Sequence, residues 1–231
     1  MTPNWQWNER QQIGTDYADL VEVSQYDQRM AAIRNFDAEN AEILSLLNLS
    51  AGDKVLEIGC GTGRFALAAA KTGLEVSVID ISPLMLNYVR EQAKKAGIEK
   101  ITTQNSGFLT MDFPTATFDA VVSSLALHHL PDAWKGVGLF HVANLLKPKG
   151  QFVLRDVVFA TQPGQNPSVG IERFAVAFKT MRKETSRHTA CEFSTYDWIM
   201  EGLLRQSGFE MLCQMQSVEA IVLYHCRKIA K

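Results

Sequence analysis

The segment Glu57-Ile58-Gly59-Cys60-Gly61-Thr62-Gly63 holds the densest chemistry in the chain. Glycines at alternate positions let a backbone pass close to a ligand and adopt conformations closed to other residues. The apolar run before them reads as a buried strand, and Arg64–Lys71 after them as a helix. A helix start beside such a turn offers free N–H groups and a positive dipole end to a polar or anionic ligand. The spacing is GxGxG, preceded by the acidic Glu57. A dinucleotide fingerprint is GxGxxG and would place its third glycine at position 64, where this chain has arginine. Arg64 is too large for the close helix–strand contact that glycine permits, which disfavours a NAD-dependent oxidoreductase. Asp80 ends the next strand-like run, about 20 residues beyond the turn, where a carboxylate accepts hydrogen bonds from both hydroxyls of a ribose. A helix-capping or surface carboxylate ahead of Ser82-Pro83 is the alternative reading of that residue.

A second group follows the apolar run Phe118–Ser123. Ligands of open α/β sheets bind outside the carboxyl ends of the strands, so Ser124, His128 and His129 stand near a reaction centre. His128 is the first titratable side chain after that run, and its imidazole suits proton transfer near neutrality. It is the candidate catalytic residue. Paired histidines opening a helix also serve simply to hydrogen-bond the backbone, and that reading stands beside the catalytic one. Asp156, at the end of a later strand, and Tyr17 and Tyr26, near the N-terminus, are further candidates with packing roles as alternatives. No metal is expected. Cys60, Cys191, Cys213 and Cys226 form no CxxC pair, and His188 with Cys191 offers two ligands without a second pair.

The elements that must position these residues alternate. Candidate strands are Lys54–Ile58, Glu75–Asp80, Ile101–Gln104, Phe118–Ser123, Gln151–Val157, Phe209–Met215 and Ala220–Cys226, with helical patterns between them. This implies βαβ units and a mostly parallel, doubly wound sheet. Ser82-Pro83 reads as an N-cap and first helical residue, and Gly97 as the close of that helix. Asp132 is read as a cap, and Ser194 with Asp197 has capping-box spacing. Two stretches fall outside the alternation. Residues 1–50 read as an N-terminal helical cap segment ahead of the domain 51–231. Residues 158–194 are longer than a connection requires and carry Ile171, Phe174, Ala175 and Phe178 at helical spacing. They read as a lid insertion or, in the blander version, as a stripe packed on the core.

Bulk properties limit the partners. The chain has 231 residues, is 46% hydrophobic and 21% charged, and carries a formal net charge of −2. Its densest basic stretch, Arg182 to His188, is interrupted by Glu184 and reads as a solvated helix face, so nucleic acid is not an expected partner. Apolar runs are far shorter than a membrane span needs, and residues 1–12 lack the apolar stretch of a signal peptide. A cytoplasmic protein with reduced thiols is expected.

With its ordered motifs, the chain resembles the class I S-adenosylmethionine (SAM)-dependent methyltransferases, particularly the bacterial type acting on small molecules. The likeness rests on Glu57–Gly63, Val78–Ser82, Phe118–Leu130 and Leu146–Gly150 before Gln151–Val157. It implies a seven-stranded sheet with an antiparallel last strand and helices on both faces. It implies that Gly59, Gly61 and Gly63 line the methionine part of SAM, that Glu57 helps hold its ammonium, that Asp80 binds the ribose and that Ile81 packs on the adenine. The family commonly carries an acid for the adenine amino group in a loop that here reads Asn105-Ser106-Gly107-Phe108, without one. The resemblance leaves adenine to Gly107 and Phe108, and places Ser124 beside the sulfonium. The expected function is methyl transfer to a small molecule. A protein or RNA acceptor, and a SAM-binding protein without transferase activity, are the alternatives, and oligomeric state stays open.

Overall fold

The structure, a computed structural model, describes residues 3–11, 13, 27, 30–31 and 34–229. Tyr17 and Tyr26, with part of the expected N-terminal cap, lie outside the described residues. Helix α1 (Phe36–Leu47) leads into β1 (Lys54–Ile58), α2 (Arg64–Lys71), β2 (Glu75–Asp80), α3 (Pro83–Lys95), β3 (Ile101–Asn105) and β4 (Phe118–Ser124). A 3-10 turn over Leu127–His129 then precedes α4 (Asp132–Leu145) and β5 (Leu146–Phe159). The insertion contributes α5 (Ser168–Ala177) and α6 (Arg182–Cys191). The chain ends with β6 (Thr195–Tyr196), α7 (Asp197–Gln206), β7 (Phe209–Val218) and β8 (Ile221–Lys228).

The sheet runs β3-β2-β1-β4-β5-β8-β7, with the two-residue β6 beside the end of β5. β1 through β5 pair in parallel, and β8 is antiparallel to both β5 and β7. The seven expected strands are present with the expected antiparallel last one, and β6 is the addition. Alternation along the strands builds two cores. On one face Val55, Val76, Val78, Ala120 and Val122 meet Ile43 and Leu47 of α1, Phe65 and Ala69 of α2, and Leu86 and Val89 of α3. On the other, Leu56, Ile58, Val121, Phe152 and Leu154 meet Leu139 and Val142 of α4, and Met200 and Leu204 of α7. Helices thus cover both faces.

Local chemistry explains most helix starts. Ser82 Oγ accepts from Met85 N at 3.4 Å, and Pro83 takes the first helical position of α3. Two capping expectations are corrected. Asp132 is the first residue of α4 rather than its cap, because its carboxylate pairs with Lys135 Nζ at 2.7 Å and accepts from Thr195 Oγ1 at 3.0 Å. Ser194 does not cap α7, because its hydroxyl meets His188 Nε2 at 2.7 Å and the chain enters α7 through β6.

The insertion has its own small core. Phe174 of α5 packs against Phe159 of β5, with Val157 and Ala220 buried beside them and Leu125, Ile171, Phe178 and Tyr196 around the rim. Ile171, Phe174 and Phe178 of the stripe read from the sequence therefore dock this segment on the projecting end of β5, while Ala175 is exposed. Among the described residues no helix is long and apolar enough to cross a membrane.

Candidate active site

The glycine turn sits at the carboxyl ends of β1 and β4, where the strand order reverses. Two of its glycines are required for different reasons. Gly59 has φ +69°, and a Cβ there would lie 2.4 Å from Ala126 Cβ in the loop after β4. Gly61 has φ +50° and nothing within 4 Å of where its Cβ would project, so the backbone is bare toward the cavity. Gly63, in contrast, lies 2.6 Å from Val89 by the same measure and serves the contact of α2 with α3. Arg64 reaches Asp27 at 3.6 Å and lies over the Phe36 ring.

Two carboxylates brace this turn. Glu57 Oε2 accepts from Ala66 N at 3.1 Å and so satisfies a donor in the first turn of α2. Burial pushes its pKa up to about 8; the Ala66 N–H works against that shift and the Asp80 charge adds to it. Asp80 accepts from Gly61 N at 2.9 Å through one oxygen and from Ser82 N at 2.8 Å through the other. Burial raises it to about 6 against the pull of those two N–H groups. Each oxygen keeps a second acceptor direction.

Gly59, Gly61, Asp80, Ile81, Gly107, Phe108 and Ser124 line one cavity, with Ile58, Met85 and Leu130 as apolar walls. Glu57 faces the adjoining cavity, which shares Gly59, Gly61 and Ser124 and adds Arg34, Glu39 and Arg155. Gly63 borders neither cavity. Two residues were not legible in the sequence. Glu9 is buried against the loop after β3, where it accepts from Leu109 N at 3.0 Å and from Thr110 Oγ1 at 2.6 Å. Its carboxylate lies 2.4 Å from where a Gly107 Cβ would be. An acid thus stands beside this loop, brought by the N-terminal segment, which Arg10 ties to Asn105 at 2.6 Å. Arg34 pairs with Glu39 at 2.6 Å and reaches Ser124 Oγ at 3.4 Å. Neither contact to the cavity follows from a local pattern, since Glu9 meets Leu109 and Arg34 meets Ser124 across long sequence separations.

The histidine pair divides. His129 lines the cofactor-side cavity; burial and the charge of His128 push it down to about 3, so it is neutral. His128 borders neither cavity. Its Nδ1 meets Asp156 Oδ1, and its Nε2 lies 3.2 Å from Glu192 Oε2. Burial opposes its charge, but Asp156 and Glu192 more than offset that, and its pKa is pushed up to about 9. Asp156 and Glu192 are held below the usual carboxylate range, because His128, joined by His188 at Glu192, outweighs their burial. The charged ring therefore donates from both nitrogens.

A parallel sheet in this order, with a glycine turn after β1 and an acid closing β2, defines a Rossmann-like nucleotide-cofactor protein. A family model described as a methyltransferase domain matches residues 55–150. The chain is 31% identical over 123 residues to 27-O-demethylrifamycin SV methyltransferase of Amycolatopsis mediterranei (strain S699), covering 52% of this chain and 44% of that enzyme. It is 28% identical over 211 residues to an uncharacterized methyltransferase of Geobacillus sp. (strain WCH70), covering 85% and 91%. The chain therefore spans less than half of the first relative and most of the second. It shares its fold with 1,6-didemethyltoxoflavin-N1-methyltransferase of Burkholderia thailandensis, solved with its substrate and S-adenosylhomocysteine: TM-score 0.62, 19% identity, 90% and 85% coverage. Over residues 55–150 the chain is thus similar to methyltransferase domains, and its fold is that of SAM-dependent methyltransferases. The residues present fit that cofactor: the bare backbone at Gly61 and the Asp80 oxygens suit a ribose, and the apolar walls suit a purine.

Proposed function

We propose that this chain transfers a methyl group from SAM to a small molecule, in the cytoplasm, the compartment its unpaired cysteines suit. The observation that carries the reading is the Asp80–Gly61 link, which holds a buried acceptor beside open backbone at the strand switch point. In this reading Asp80 accepts from the ribose hydroxyls, and Ile81 and Phe108 sandwich the adenine. Glu9 accepts from the adenine amino group in place of the missing loop acid. Glu57 and Arg34 face the ammonium and carboxylate of the methionine end. When bound, SAM supplies a methyl already activated by its sulfonium for in-line displacement.

The protein's part is then alignment and exclusion of water. Ser124 and His129 stand at the acceptor side, where His129 orients the nucleophile. His128 is a positioning residue that holds the turn carrying His129. Residues 158–194 form the lid over the acceptor, and residues 1–50 cap the nucleotide. A small acceptor is supported by the net charge of −2, which offers nucleic acid no basic groove. The relatives named for a rifamycin and a toxoflavin precursor, both small molecules, point the same way.

Calorimetry with S-adenosylhomocysteine tests the cofactor half. Micromolar binding is expected, with Glu9→Gln weakening it by about tenfold, as for one hydrogen bond to a charged group. Labelled SAM offered with a panel of small ring-bearing alcohols, phenols and amines, and separately with RNA and protein, tests the acceptor. Label in RNA or protein alone would overturn the small-molecule reading.

A further inference from the structure

Away from the nucleotide cavity, a close gathering of ligating side chains among the described residues lies where the insertion meets the sheet. His128 Nε2 is 3.2 Å from Glu192 Oε2, and His188 Nδ1 meets that same oxygen. The ligand atoms of the three residues all lie within 4.8 Å of one another. Each imidazole is oriented by a partner at its other nitrogen: Asp156 Oδ1 at His128 Nδ1, and Ser194 Oγ at His188 Nε2, 2.7 Å away. Such outer partners are what fix the tautomer and direction of metal-ligating histidines. His188 and Glu192 stand one helical turn apart at the end of α6, so they present donors to one side. The group is sheltered, with side-chain exposures of 7%, 14% and 7% for His128, His188 and Glu192 and 0% for Asp156. Asp156 Oδ2 is also buried without a hydrogen-bond partner. Buried charges are paired or coordinate metals. A divalent ion between neutral imidazoles would replace the single charge of His128 with two, one for each of Asp156 and Glu192.

We propose that His128, His188 and Glu192 form a three-ligand site for a divalent transition metal of the zinc type, tying α6 of the insertion to the end of the sheet. Two imidazoles and a carboxylate are a donor set zinc accepts, at roughly 2.0–2.2 Å from each ligand atom. Tetrahedral placement at that range sets ligand atoms roughly 3.3 Å apart, so the His128–Glu192 pair is already spaced for it. Binding would draw Glu192 back from His188 and bring the two imidazoles, whose ligand atoms lie within 4.8 Å, onto one ion. Water takes the fourth position. Exposed Cys191, next to the group in sequence, is not part of it.

Metal-stripped protein titrated with Co²⁺ tests the site directly. One ion per chain is expected at micromolar concentration, with the visible d–d bands of a four-coordinate centre that Zn²⁺ then abolishes. His188→Ala and Glu192→Gln should each weaken binding at least about tenfold, and Asp156→Asn by about 10-fold or more through the outer shell. Affinity for S-adenosylhomocysteine, measured in the same variants, reports that each remains folded. Should one variant fail to fold, the wild type still decides the matter, since Zn²⁺ must raise its Tm in a concentration-dependent way. Absence of Co²⁺ bands and of a Zn²⁺-dependent Tm, or binding unchanged in both ligand variants, would overturn the proposal.

Discussion

The two halves of the site are made of different material. Around the glycine turn, main-chain groups do the work: Gly61 N and Ser82 N fix Asp80, and Ala66 N fixes Glu57. Beyond β4 the structure depends on side chains meeting across the fold, with His128, Asp156 and the His188–Glu192 pair drawn from three separate places in the chain. A site built on backbone tolerates few substitutions at the turn itself but leans on little else. One built on buried charge pairs depends on every partner being present.

The contrast can be broken first at His128. Replacing His128 with alanine leaves Asp156 buried without its partner, and a loss of about 3–5 kcal/mol in unfolding free energy is expected from denaturant titration. A loss below about 1 kcal/mol would mean that the far half is no more dependent on its ion pairs than an exposed surface is. Asp80→Asn comes next. The amide cannot accept from both N–H groups and the ribose as the carboxylate does, and calorimetry should record a loss of about 2–4 kcal/mol in S-adenosylhomocysteine affinity.

His129→Ala sharpens the comparison on the acceptor side. Losing one orienting hydrogen bond should slow single-turnover methyl transfer by about tenfold, with cofactor affinity little changed. An equal drop in cofactor affinity would move His129 into the nucleotide half. The smallest effect is one of pH. Glu57 has its folded pKa raised, so the stability it contributes is present below about 4.5 and is lost as pH rises through about 8. The protein alone should therefore lose stability across that window. Because Glu57 faces Arg34, Arg64 and Arg155 as well as Glu39 and Asp80, an added ammonium favours its charged form. Binding then releases a proton, and affinity should rise by at most about tenfold per pH unit up to about 8. Calorimetry in buffers of different ionisation heat counts that proton.

The same contrast explains what could be read from the chain. Gly59, Gly61 and Asp80 were legible because a ligand lying on backbone demands glycine and an acid at fixed local spacing. The strands were legible because buried β-branched runs are local signals, although Leu146–Gly150 read as a turn and joins β5. Glu9 was not, since a carboxylate filling a gap 100 residues away leaves no trace in its neighbours. His188 was weighed only with Cys191, two sequence neighbours, whereas its actual partners are Glu192 one turn on and His128 from another element. The i, i+4 spacing of His188 and Glu192 was the one local hint. Ser194 misled as well, because its spacing fits a cap while the His188 imidazole six residues upstream claims its hydroxyl.

β5 is fourteen residues long and outruns its neighbours, so its final residues serve as a fulcrum. Arg155 turns to one face, where it holds Glu39 and Glu42 of α1 at 2.7 and 2.9 Å. Asp156, the next residue, turns to the other and holds His128. The helix ahead of the first strand and the insertion after the fifth thus hang from opposite sides of a single peptide unit. If the two act as covers, as proposed above, a tilt of either would be felt by the other through that unit. A change of acceptor achieved by rebuilding the insertion would then retune the grip on the nucleotide as well, unless Arg155 and Asp156 were left in place to carry the strain.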